Sequence, residues 1–227
     1  MTNSPILKTI AILGGTGKEG KGLSYRWARA GYRVLIGSRS EDRAQAAARE
    51  LLDRLEGKAF VEGTNNMRAA QTADVIVLAV PYSAHIATLL SIKDCIHGKL
   101  LVDVTVPLMP PNITKVQLPA AGSAAQEARE ILGNDTPITS AFQNISYELL
   151  LSDKPVECDV LVAGTSKDAR IETLELVKAA GLKGWDAGPL ENSIVLEGMT
   201  SVLININQQY GSKHAGIKIT GLGKYNT

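Results

Sequence analysis

Three glycines at a fixed spacing, Gly15, Gly17 and Gly20, are the first residues in this chain whose pattern could do chemistry. They follow the apolar run Thr9 to Leu13 and precede a helical stretch from Lys21 to Ala30, so G-x-G-x-x-G falls at a strand-to-helix turn. Gly15 would permit the tight turn, Gly17 would let the backbone approach a diphosphate, and Gly20 would let the helix lie against the strand. The N–H groups of Thr16, Gly17, Lys18 and Glu19 then meet the positive end of a helix, where phosphate binds. An ordinary glycine-rich turn is the competing reading. The β-branched run Tyr32 to Ile36, arriving on schedule after the helix, favours dinucleotide binding.

What stands after that second run selects the nucleotide. A site for NAD places Asp or Glu there to accept from the ribose hydroxyls. This chain instead reads Gly37-Ser38-Arg39-Ser40-Glu41-Asp42-Arg43, with Arg43 one helical turn beyond Arg39. A hydroxyl and two guanidinium forks suit a phosphate ester, so the set points to NADP. The alternative is a solvated helix start in which Glu41 and Asp42 neutralise the arginines.

The elements that must carry these residues read as alternating strands and helices. A helix is expected over Glu41–Glu56, a strand over Ala59–Gly63, a short helix over Asn65–Gln71 and a buried strand over Asp74–Val80 ended by Pro81. The C-terminal ends of such strands border ligands in open α/β sheets, which puts Val80, Pro81 and Tyr82 beside a cofactor. A helix over Ser83–Ser91 with Ile86 on its apolar face, a strand over Leu100–Val104 and a proline-rich loop from Thr105 to Pro111, including Val106, come next. Further on stand a helix at Ala120–Leu132, a strand at Pro137–Phe142 aimed at Gln143-Asn144-Ile145, a helical segment from Ser146, and another βαβ unit up to Gly188-Pro189. Leu190–Tyr210 is long enough for one substantial helix. The fold expected is α/β, a Rossmann-type doubly wound, mostly parallel sheet over residues 1–189, with a small C-terminal helical appendage over 190–227. Too small to fold alone, that appendage must pack on the sheet, on a second copy, or on both. Its Val202, Leu203 and Ile206 suggest a homodimer or higher homo-oligomer.

Composition narrows the field. With 227 residues, 24 Lys and Arg against 23 Asp and Glu, and few aromatics, the chain gives no sign of a nucleic-acid or anionic-membrane surface. No apolar stretch exceeds strand length and no signal-type leader opens the chain, so a cytoplasmic location is expected. Cys95 and Cys158 lack metal spacing and read as small residues in a reducing compartment. His85, His97 and His214 are scattered, and no metal site is expected.

Assembled, these residues resemble the NADP-dependent oxidoreductases of the deazaflavin coenzyme F-420, a family related in fold to the dinucleotide domain of pyrroline-5-carboxylate reductase. The resemblance runs nearly end to end. It rests on Leu13-Gly14-Gly15-Thr16-Gly17, Gly20-Lys21-Gly22-Leu23, Gly37-Ser38-Arg39, Ser123-Ala124-Ala125, Asp186-Ala187-Gly188-Pro189-Leu190 with Asn192-Ser193, and Gly216-Ile217-Lys218. It implies NADP(H) and coenzyme F-420 as small-molecule partners and direct hydride exchange between the two rings, with no catalytic acid or base. It also implies a second-substrate site at Gln143, Asn144, Ile145, Tyr147 and Ala215. Two positions depart from the family pattern: Gln143, where histidine is usual, and Ile194, where some relatives carry arginine. A deazaflavin tail would then turn to Lys213, His214, Lys218 or Lys224. An NADPH reductase of another small acceptor, such as a flavin or an imine, and a non-catalytic NADP(H)-binding sensor are the alternatives.

Overall fold

A computed structural model describes residues 8–222, so the lead-in before Lys8 and Lys224 lie outside the described residues. Eight strands make one sheet: β1 (Thr9–Leu13), β2 (Arg33–Ser38), β3 (Val61–Asn65), β4 (Val75–Leu78), β5 (Leu100–Asp103), β6 (Ile138–Ser140), β7 (Asp159–Gly164) and β8 (Lys183–Pro189). Their order is β3-β2-β1-β4-β5-β6-β7-β8, and only the β6/β7 pair is antiparallel. The chain therefore winds outward in both directions from the β1/β4 pair. In an open α/β sheet that reversal leaves a crevice at the carboxyl ends of the strands.

Among the described residues eight α-helices cover the sheet: α1 (Lys18–Arg29), α2 (Glu41–Arg54), α3 (Asn66–Thr72), α4 (His85–Ile92), α5 (Ala124–Leu132), α6 (Tyr147–Leu150), α7 (Lys167–Ala179) and α8 (Ser193–Tyr210). Small polar residues start several of them. The side chains of Ser40, Asn65, Ser123 and Ser166 each accept from an amide of the first helical turn. Both sheet faces are covered, which is why β1 and β4 read as continuous apolar runs: Ile10 and Ile12 pack into one core and Ala11 and Leu13 into the other. Trp27 of α1 is fully buried, donates Nε1–H to the Leu176 carbonyl (2.9 Å) and meets Phe142 edge-on at 5.6 Å.

The expected elements are present, with shifted ends. The strand expected at Ala59–Gly63 runs over Val61–Asn65, because the polar Thr64 and Asn65 pair with Gly37 and Ser38 of β2 while the Asn65 side chain caps α3. Helix α2 ends at Arg54, before two left-handed residues, Glu56 and Gly57. The helix expected from Ala120 begins only at Ala124, after its Ser123 cap. A short 3-10 turn, Leu190–Asn192, precedes α8, which lies against α5, β6 and β7.

Candidate active site

The turn after β1 is built by close approach. Gly14 holds the left-handed conformation (φ 80°), and a Cβ there would stand 2.5 Å from the Ala79 carbonyl oxygen. Gly15 tightens the same turn: its amide bonds the Ile12 carbonyl (3.1 Å), and a Cβ on it would stand 2.8 Å from that oxygen. At Gly20 a Cβ would lie 2.7 Å from the Gly15 Cα, so this glycine lets α1 rest on the turn. A Cβ on Gly17 would meet only the Gly14 carbonyl oxygen, at 3.2 Å. That open face, with the amides of Lys18 and Glu19 at the start of α1 and no helical acceptor for them, fits a diphosphate.

On one flank of the turn, β2 delivers Ser38, buried, and Arg39, exposed, with Arg43 exposed on the first turn of α2. Neither guanidinium is paired with a carboxylate among the described residues; Glu41 instead accepts from the Thr64 hydroxyl at 3.4 Å. On the other flank, under the ends of β4, β5 and β6, lies a cavity of about 1000 Å³. Because β1 stands between β2 and β4, the turn lies between Arg39 on one side and this cavity on the other.

Gly17 and Glu19 form the cavity's turn side. Val80, Pro81 and Tyr82 follow β4, and Thr105, Val106, Leu108, Met109 and Pro110 supply a wall from the proline-rich loop. Gln143, Asn144, Ile145 and Tyr147 follow β6, Thr200, Leu203, Ile204 and Asn207 come from α8, and Lys213 and Ala215 from the segment behind it. Phe142 turns the chain into this stretch with a left-handed backbone (φ 73°), uncommon for a non-glycine residue, held by its full burial against Trp27. Arg26 of α1 fixes the next segment, donating to the carbonyls of Leu149, Leu150 and Ser152 at 2.7 Å each.

Behind the cavity sits a buried polar network. Both ring nitrogens of His85 lie 2.8 Å from carboxylates, Nε2 from Asp103 and Nδ1 from Glu127. Burial alone would depress the imidazole pKa, yet the Asp103 charge and the bonds to both carboxylates outweigh it and push it up to about 9. Glu127 also accepts from the Tyr82 hydroxyl (3.0 Å), and Tyr82 is pushed up to about 12 by burial and this bond. Asp103 takes the Thr105 amide on Oδ1 (2.9 Å) and, on its carbonyl, the Gln143 amide (2.8 Å). Glu197 of α8 accepts from the amides of Ala124 and Ala125 (2.7 and 3.1 Å), beside a Ser123–Ser193 hydroxyl pair at 2.6 Å. Its carboxyl is raised to about 8, chiefly by burial.

Comparison with known proteins meets this geometry. Residues 9–107 match the protein family described as NADP oxidoreductase coenzyme F-420-dependent. The F-420-dependent NADP reductase of Methanothermobacter marburgensis is 41% identical over 220 residues, covering 94% of this chain and 98% of that one. The chain belongs to the F-420-dependent NADP reductase family. Among solved structures, a candidate F-420-dependent NADP-reductase from Arthrobacter sp. FB24 superposes with a TM-score of 0.79 at 24% identity, over 93% of this chain and 99% of that one. A pyrroline-5-carboxylate reductase from Coxiella burnetii gives 0.59 at 17% identity, over 90% of this chain and 68% of that one. Both carry the fold.

Within this F-420-dependent reductase fold, most candidate residues meet. Gly17, Glu19, Val80, Pro81, Tyr82, Val106, Gln143, Asn144, Ile145, Tyr147 and Ala215 all line the cavity. Gly15, Thr16, Lys18 and Gly20 build the turn outside it, and Ser38, Arg39 and Arg43 hold the opposite flank. Ile86 is misplaced: on the first turn of α4 it is 48% exposed and outside the lining. Two amides have less to offer than expected. Gln143 uses Nε2 on the Asp103 carbonyl and on Ser140 Oγ, so only Oε1 can face a ligand; Asn144 turns its Nδ2 to the Asp159 carbonyl (2.8 Å).

The departures from the family pattern also find places. Ile194 is outside the lining and packs near Gly122, so no cavity cation is lost by its being apolar. Of the tail cations, Lys213 reaches the cavity, His214 lies 3.2 Å from Ser146 Oγ, and Lys218 lies 4.0 Å from Glu157. Reading the sequence alone missed His85, Asp103, Glu127 and Glu197. The available signal was an Asp within the apolar run Leu100–Val104, which a parallel central strand buries only with a partner. Thr105, 2% exposed and with no partner for its Oγ1 among the described residues, was missed too.

Proposed function

We infer that this chain transfers a hydride between NADP(H) and the deazaflavin coenzyme F-420. The observation that carries this is continuity: the dinucleotide turn and the Gln143–Tyr147 stretch face a single cavity of about 1000 Å³, large enough for two ring systems at once. NADP(H) supplies or takes the hydride at its nicotinamide, and the deazaflavin ring is the other party. Everything else is positioning by this chain. The α1 amides and the Gly17 face hold the diphosphate, and Ser38, Arg39 and Arg43 hold the adenosine phosphate. Val80, Val106, Ile145 and Leu203 supply apolar walls that exclude water, and Gln143 Oε1 and Thr105 Oγ1 orient ring edges.

An exposed stripe on α8, Val195, Val202, Ile206 and Tyr210 at helical spacing, supports a homodimer. Leu203 belongs to the opposite, buried face. No helix among the described residues is long and apolar enough to cross a membrane, and a cytoplasmic site of action is the reading we adopt.

The test is an anaerobic mixture of protein, NADPH and oxidised F-420 followed by its visible absorbance, with NADH run beside it. Rapid bleaching with NADPH and slow bleaching with NADH are expected. NADPH binding without bleaching would assign the cavity to another acceptor.

A further inference from the structure

Glu19 is the one acidic side chain in the cavity wall, contributed by the second residue of α1. The residue is partly exposed, but its Oε1 is shielded from solvent and has no hydrogen-bond partner among the described residues. Its place relative to a dinucleotide follows from sheet order. The phosphate-binding candidates Ser38, Arg39 and Arg43 flank the turn on the β2 side, whereas Glu19 faces the cavity on the β4 side. The carboxyl therefore borders the nicotinamide end. An unpaired carboxyl so shielded holds its charge only opposite a cation and is otherwise neutral.

The nicotinamide is such a group, since its ring is cationic when oxidised and neutral when reduced. We propose that the Glu19 carboxyl distinguishes the two oxidation states of NADP(H), protonated beside the reduced ring and ionised beside the oxidised one. This rests on the NADP(H) reading above and is independent of which acceptor fills the rest of the cavity. The proton lost from Glu19 goes to solvent; no other bond changes.

Burial raises this carboxyl to about 8, so in the free protein it is mostly neutral at neutral pH, and a nearby positive charge shifts it toward the ionised form. The other titratable groups on the surrounding elements are occupied elsewhere or make no bond to it. Lys18, its neighbour on α1, lies over the Tyr147 ring with Nζ 3.2 Å from the hydroxyl, and Tyr147 donates to Glu148. Tyr82 donates to Glu127, and Lys213 lines the cavity from behind α8. The diphosphate and the adenosine phosphate act equally on both oxidation states, so their effect cancels when the two are compared.

The experiment is calorimetric titration of the whole protein with NADP+ and, separately, NADPH, from about pH 6.5 to about pH 9, in two buffers of different protonation enthalpy. The affinity for NADP+ relative to NADPH should rise about tenfold across that range, the factor that a one-unit shift of Glu19 between the two complexes produces. At intermediate pH, NADP+ should release more protons than NADPH. In Glu19→Gln and Glu19→Leu the ratio should become independent of pH. A wild-type ratio that does not change with pH, equal proton release with the two nucleotides, or a pH-dependent ratio that survives in both variants would each overturn the proposal. Failure of the wild type to bind either nucleotide would instead overturn the NADP(H) reading beneath it.

Discussion

Replacing His85 by Gln tests the buried network that backs the cavity. In the native protein the imidazole is fully buried with a carboxylate on each nitrogen, and its pKa stands at about 9 against 6.5 for the free side chain. A folded-state pKa above the unfolded value means that the native state binds the extra proton. The stabilisation is complete below about pH 6.5 and is lost as pH rises through about 9. Two and a half units correspond to about 3 kcal/mol, most of which remains at pH 7 and almost nothing at pH 10. For a chain of this size 1 kcal/mol moves Tm by about 2–4 °C, so His85→Gln should melt about 5–10 °C lower at pH 7. The gap should close toward pH 10, where wild type and variant both place a neutral side chain between the same two carboxylates. Thermal melts followed by circular dichroism at several pH values supply the readout. The difference between the two proteins is what matters, because the Cys158 thiol, raised by burial and not in contact with His85, enters both alike. A gap below about 2 °C at pH 7, or one that stays constant to pH 10, would refute a charged imidazole in this network.

Three further outcomes are expected. Gly20→Ala should weaken NADPH binding at least about tenfold and cost about 1–3 kcal/mol, because its Cβ would stand 2.7 Å from Gly15 and force α1 off the turn; native-like affinity would refute the close-packed turn. Arg39→Ala and Arg43→Ala, both at exposed positions, should leave Tm within about 2 °C but raise the KM for NADPH about ten- to a hundredfold while leaving NADH unaffected. Equal losses with both nucleotides would remove these residues from the adenosine phosphate. Val202→Asp, in the exposed stripe of α8, should convert a dimer to a monomer in light scattering after size exclusion, and a wild type already monomeric at micromolar concentration would contradict the assignment of that face.

The fold was legible because its signals are local. An apolar run, three glycines and a second run on schedule fix one βαβ unit whatever the rest of the chain does, whereas the start of α5 was set at Ala120 rather than Ala124 because the Ser123 cap was not read as one. Boundaries drifted where pairing overrode propensity, as at Thr64 and Asn65, which are polar yet stranded because β2 offers them partners. Ile86 was misjudged because helical spacing locates a face but not what that face looks at. The left-handed Gly14 escapes the G-x-G-x-x-G count for a related reason, since spacing marks a turn without saying which residue crosses into the left-handed region.

By itself the sequence determined the sheet-and-helix alternation, the glycine turn after β1 and the grouping of Ser38, Arg39 and Arg43 after β2, all carried by residues near one another in the chain. Only tertiary structure decided that His85, Asp103 and Glu127 share a network, that the Gln143 amide nitrogen is taken up by the Asp103 carbonyl and Ser140, and that α8 contributes Thr200 and Leu203 to the cavity. Each of these depends on groups many residues apart being desolvated together. Burial raises the carboxyls of Glu19 and Glu197 and leaves Thr105 Oγ1 without a partner among the described residues, and burial is set by the packing of the whole chain rather than by any stretch of it.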